Sequence, residues 1–406
     1  MILTSIEDGV NPPPRPGATS APNNLAHKFP LPVSPELPTR IPSLNGLRAF
    51  SILLVFLAHV AGTHGAPDFL ARLGHVGNLG VKVFFVISGF LITTLLLKEW
   101  AHTGRINLKA FYLRRTLRIF PAFYVYIGVV LIAAACGAVV LSWADVLHAV
   151  TYTANYHADT FAPADRMLWA WEFNHLWSLA VEEQFYLIWP CVFVLLGPRR
   201  ALMIAAVVLL VCPICRGVMW YELGATPTAM TRRFQAVADT LATGCLLAGA
   251  FHWLGRNRYY AAFVSSPFCL PVSLFGLLAS LASASIGKGV YYVVGQTIAN
   301  FAIALLIDLY VRFPASLGGR LLNWPPLAFV GTLSYSLYLW QEPFLNPMDE
   351  TRFYTGFPQN LVFAITAAIA SYYIVERPFL WLKDRLSAKG RSARRTPHIS
   401  SASKDD

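Results

Sequence analysis

An arginine and a histidine eleven residues apart, Arg48 and His59, lie in an apolar stretch that opens Leu44-Asn45-Gly46-Leu47-Arg48 and runs to Ala58-His59. At 3.6 residues per turn that spacing is close to three whole turns. On a helix both side chains would therefore share one face, about 16 Å apart along the axis. Ionisable groups inside a bilayer are costly, and they point to function. A titratable imidazole there suits a general base that takes the proton of an acceptor hydroxyl. Taken alone, it could also be a packed histidine bonded to a neighbouring carbonyl.

A second segment puts two adjacent carboxylates, Glu182 and Glu183, into the apolar run His175-Leu176-Trp177-Ser178-Leu179-Ala180-Val181 and onward to Gln184-Phe185-Tyr186. Ser178, Glu182, Tyr186 and Trp189 recur at helical spacing and share a polar-aromatic face. On a helix running inward from the outer surface, Glu182 falls about 9 Å deep by helical rise. His59, in the outer half of the first span, falls at a similar depth. Glu182 is therefore expected to accept an imidazole N–H of His59, which would fix the tautomer and raise the basicity of the ring. A structural Glu–Arg pair is the alternative.

Arg114, Arg115 and Arg118 follow Phe111-Tyr112-Leu113 just before another apolar span. Guanidinium forks match phosphate oxygens, although the same charges would also serve as a cytoplasmic anchor. Other polar intrusions read as interhelical hydrogen bonding: Gln235, Asp239 and Thr243, then Gln296 and Asn300, the run Ser334 to Pro343, and Glu376-Arg377-Pro378. Lys82 precedes Ser88-Gly89, a step suited to close helix packing. The six cysteines all lie in apolar runs, and the Cys212-x-x-Cys215 pair has no accompanying metal-type pair, so no metal site is expected.

The elements that would position these groups follow from composition. The chain of 406 residues is 56% hydrophobic and only 13% charged, with mean hydropathy +0.51. Soluble domains carry about a quarter charged residues, so the surface must face lipid. An all-α, polytopic bundle is expected, a single membrane domain over residues 43–383. A span needs about 20 apolar residues. Windows near 44–63, 80–98, 119–141, 176–196, 201–220, 234–254, 262–284, 290–311, 326–346 and 359–380 meet that need, giving about ten helices.

The net charge of +11 has a topological reading rather than a nucleic-acid one. With the N-terminus inside, Lys and Arg concentrate in the inner loops and tail, so both termini are expected in the cytoplasm of a bacterial-type plasma membrane. Residues 1–42 are rich in proline and are expected to form a disordered leader; residues 384–406 are expected to form a disordered basic tail.

Taken in order, the motifs resemble the integral-membrane acyltransferase-3 family, which includes O-antigen, exopolysaccharide and macrolide acyltransferases. The resemblance spans roughly residues 43–382. It rests on Leu44–His59 with its Arg-x10-His spacing, Gly80–Thr93, Arg114–Pro121, Trp177–Tyr186, Arg233–Ala248, Gly331–Pro343 and Glu376–Pro378. It implies a membrane O-acyltransferase that moves an acyl group, acetyl by default, from cytoplasmic acyl-CoA to a carbohydrate or glycolipid acceptor. Acyl-CoA would be a donor substrate, with no permanently bound cofactor. The resemblance puts Arg48, His59 and Glu182 in catalysis, and Arg115 and Arg118, with Arg114 preceding, in handling coenzyme A phosphates. Many members have histidine where this chain has Gln341. A transporter or exporter of a glycolipid or small molecule is the rival class, since a many-helix bundle with buried charges would serve that too.

Overall fold

The computed structural model describes residues 41–392 apart from 42, 72–73, 158–170, 348 and 350–351. The expected leader, residues 1–42, lies almost wholly outside the described residues. Every regular element described is a helix, as the composition dictates. The longer ones are α1 (Leu44–Val60), α2 (Gly77–Thr103), α3 (Leu108–Ala135), α4 (Leu176–Gly217), α5 (Phe234–Arg256), α6 (Cys269–Ile286), α7 (Gln296–Arg312), α8 (Pro325–Trp340), α9 (Gln359–Ser371) and α10 (Arg377–Ser392).

Among the described residues, seven helical stretches are long and apolar enough to cross a bilayer. The expected ten is not confirmed, for two physical reasons. The windows at 176–196 and 201–220 form one helical run, broken only where Gly197 takes a left-handed φ of 76° before Pro198. In addition, α1 has 17 residues and α8 has 16, both short of a full span. Large side chains such as Leu187, Leu195, Leu210 and Ile214 point outward from α4, as expected of a helix with lipid on one side. The tail also differs from expectation. Residues 384–392 continue α10 as helix, and only 393–406 lie outside the described residues.

Two close approaches hold the site-bearing helices. A Cβ on Gly89 of α2 would overlap the Leu241 carbonyl of α5, and one on Gly244 of α5 would overlap the Val86 carbonyl of α2. A Cβ on Gly331 would likewise overlap the Asn45 carbonyl, so α8 lies directly against the start of α1. Small residues of this kind let helix backbones meet where no hydrophobic force separates protein from lipid. Asn107 caps α3 by accepting from the Ala110 N–H at 2.9 Å, which starts the helix ahead of its three arginines.

Candidate active site

The start of α3, the end of α2 and α10 enclose a cleft of about 560 Å³ at one end of the bundle. Arg114, Arg115, Arg118 and Lys383 line it, together with Glu99 and apolar side chains such as Leu95 and Leu113. Arg115 and Arg118 also line a smaller cavity of about 80 Å³ deeper in the bundle, with Arg48 and Glu182. The same two arginines thus line both cavities. Arg48 therefore lines one cavity with Arg115 and Arg118, while Arg114 lines the outer cleft only.

Glu182 belongs to that inner cavity. Its Oε1 accepts from Ser88 Oγ at 2.7 Å, and its Oε2 lies 3.1 Å from the Tyr186 hydroxyl. The Tyr186 ring in turn lies 3.4 Å beneath the Arg115 guanidinium. Glu182 and Tyr186 are one turn apart on α4, as the spacing predicted.

His59 sits elsewhere, and the expected His59–Glu182 pair does not form. His59 Nδ1 lies 2.8 Å from the Val55 carbonyl oxygen. A carbonyl can only accept, so Nδ1 carries the proton. His59 Nε2 lies 3.2 Å from Glu342 Oε1. Both ring nitrogens are therefore taken, neither by Glu182. The reason is one of orientation: helix rise predicts depth but not the azimuth at which a side chain faces its neighbour. The carboxylate that reaches His59 comes from the turn just after α8, not from α4.

Glu342 is fully buried. Its Oε2 has no hydrogen-bond partner among the described residues. A buried polar atom without a partner is uncommon and calls for an explanation, such as a group it meets during function. Trp171 closes the far side, donating from Nε1 to the Glu342 carbonyl at 3.0 Å and meeting the His59 ring edge-on with centroids 6.2 Å apart. The buried His175 ring adds its Nδ1 4.0 Å from Glu342 Oε1.

Two side chains link the cavity to this pair. Tyr338, one turn before Glu342, lines the inner cavity with Ser178, one turn before Glu182. The Tyr338 hydroxyl lies 2.6 Å from Ser178 Oγ and donates to the His175 carbonyl at 2.8 Å. Ser178 and Tyr338 thus tie the inner cavity to the His175 carbonyl, and the His175 ring lies beside Glu342. Sequence reasoning passed over Glu342 and Tyr338 as interhelical hydrogen bonding. The available signal was Gln341-Glu342 next to Pro343 at the end of an apolar helix, the same costly intrusion that singled out Glu182.

Comparison with known proteins shows the family. O-acetyltransferase OatA of Staphylococcus aureus is 31% identical over 369 residues, 84% of this chain and 57% of that protein. Peptidoglycan O-acetyltransferase OatA of Listeria monocytogenes is 28% identical over 377 residues, 86% of this chain and 56% of that protein. YrhL of Bacillus subtilis is 30% identical over 368 residues, 83% and 54% respectively. The chain spans about half the length of the curated relatives it matches. No solved structure matches it. Residues 41–375 match the family described as Acyltransferase domain, most of the membrane part, and the chain belongs to that family.

Proposed function

We propose that the protein is a membrane O-acyltransferase that moves an acyl group, acetyl by default, from acyl-CoA to a hydroxyl of a cell-envelope carbohydrate. One observation carries the reading: Arg115 and Arg118 line both an outer cleft and an inner cavity, read here as a neck between them, and Tyr338 of that inner cavity stands one turn before Glu342, which faces His59. Guanidinium groups at a neck suit the phosphates of a coenzyme A whose sulfur end must pass inward. The arginine-lined end would face the cytoplasm, where the donor is made, in keeping with cytoplasmic termini. Two relatives named O-acetyltransferases, one of them specified for peptidoglycan, support a carbohydrate acceptor.

In this reading Arg115 and Arg118 hold the donor phosphates, and Arg48 with Glu182 shapes the passage for the thioester arm. The acceptor hydroxyl attacks the thioester carbonyl beside His59. Its proton passes to the His59–Glu342 pair, the carbon–sulfur bond breaks, and the leaving thiolate takes the proton back. Glu342 replaces Glu182 as the partner that stabilises the imidazolium, the role a buried carboxylate plays beside a catalytic histidine. Its free Oε2 is placed to receive a substrate hydroxyl. The test is transfer of label from radioactive acetyl-CoA to cell-wall carbohydrate by the full chain in lipid nanodiscs. Labelled acceptor is expected; a protein that never releases CoA from acetyl-CoA is not this enzyme.

A further inference from the structure

The outer cleft carries more cations than its neck accounts for. Arg115 and Arg118 line both the cleft and the inner cavity, whereas Arg114 and Lys383 line the cleft alone. These two come from different elements, Arg114 from α3 and Lys383 from α10. Each leans on a carboxylate: Arg114 lies 3.6 Å from Glu99 Oε2, and Lys383 lies 3.3 Å from Asp384 Oδ1. Part-exposed ion pairs of this kind contribute little to stability. A doubly charged phosphate would displace such a carboxylate readily, since it offers more charge and three acceptor oxygens.

We infer that Lys383 and Arg114 form a second phosphate station, which takes the 3′-phosphate of the donor's nucleotide while Arg115 and Arg118 take its pyrophosphate. The inference rests on the acyl-CoA reading above. Its basis is the order of groups along coenzyme A: thioester sulfur, pantetheine arm, pyrophosphate, then the ribose with its 3′-phosphate and adenine. With the sulfur through the neck, the pyrophosphate falls at the neck arginines and the 3′-phosphate stays in the outer cleft. The cleft volume of about 560 Å³ lies in the range of nucleotide-sized ligand sites. Leu95, Leu113 and Leu386 supply apolar wall for the adenine end. The C-terminal helix, which sequence reasoning set aside as a tail beyond residue 383, becomes one side of the donor site.

The test measures equilibrium binding of CoA and of 3′-dephospho-CoA, which do not turn over, to the full chain in nanodiscs. Wild type is expected to prefer CoA by about tenfold or more, the scale of one or two charge-assisted contacts. Lys383→Gln and Arg114→Gln should each reduce the preference, and the double variant should remove it while still binding both ligands. Lys383→Arg should keep it. Equal binding of the two ligands by wild type, or a preference that survives in the double variant, overturns the station while leaving the acyl-CoA reading intact. Wild type that binds neither ligand overturns both.

Discussion

His59 Nε2 and Glu342 Oε1 lie 3.2 Å apart in the bundle interior, while the other ring nitrogen is held 2.8 Å from the Val55 carbonyl of its own helix. The Val55 contact fixes the tautomer, and the Glu342 contact fixes what Nε2 faces. Between Nε2 and the carboxylate there is room for one proton. In the proposed reaction the pair takes up one proton there and gives it back.

Glu342→Gln keeps the shape and removes the charge. It is expected to lower kcat by about 10²–10⁴, the usual worth of positioned acid–base chemistry, with the KM for donor little changed. Glu182→Gln is expected to act mainly on donor KM, because Glu182 organises Ser88 and Tyr186 beside the arginine neck. Steady-state kinetics distinguish the two. A kcat loss confined to Glu182→Gln would restore the pairing read from the sequence.

Replacing both Arg115 and Arg118 by alanine should weaken acyl-CoA binding by about a hundredfold, on the scale of two charge-assisted contacts. The remaining binding should be less sensitive to salt. Isothermal titration at two ionic strengths measures both effects, and unchanged affinity refutes the phosphate role.

Tyr338→Phe leaves Ser178 Oγ and the His175 carbonyl without their shared partner. A cost of about 1–3 kcal/mol is expected from the unsatisfied buried groups. Ser178→Ala combined with Tyr338→Phe should cost less than the sum, because the two hydroxyls are removed together. Thermal melts of the four proteins give the coupling directly.

A second buried ion pair is structural. Arg216 and Asp239 are fully buried, with Nη2 and Oδ2 2.8 Å apart, and Arg216 also donates to the Ala236 carbonyl at 2.7 Å. Asp239→Ala strands a guanidinium and should destabilise by about 3–5 kcal/mol. Adding Arg216→Met should recover much of that. Yield and melting temperature in detergent report both.

Much of this was legible in the sequence because lipid imposes simple rules. Apolar windows located most of the helices, though not all their bounds, and Arg48, Glu182, Arg115 and Arg118 do meet around one cavity. Their positions followed from helical spacing and from the cost of buried charge. The partner of His59 did not follow. Which of several buried carboxylates a ring faces depends on how helices rotate about their axes, and that is set by contacts such as Gly331 against Asn45, far apart in sequence. The extent of α10 was hidden for a different reason. Its charged residues resemble a solvated tail until Lys383 and Leu386 are seen lining the cleft beside α3.

The most direct measurement is acyl transfer by His59→Ala in nanodiscs, alongside CoA binding by the same preparation. Transfer should fall by about three orders of magnitude while CoA affinity stays at the wild-type level, since the neck arginines are untouched. Transfer at the wild-type rate from a folded, CoA-binding variant would contradict the account, because the His59–Glu342 pair would then have no part in moving the proton.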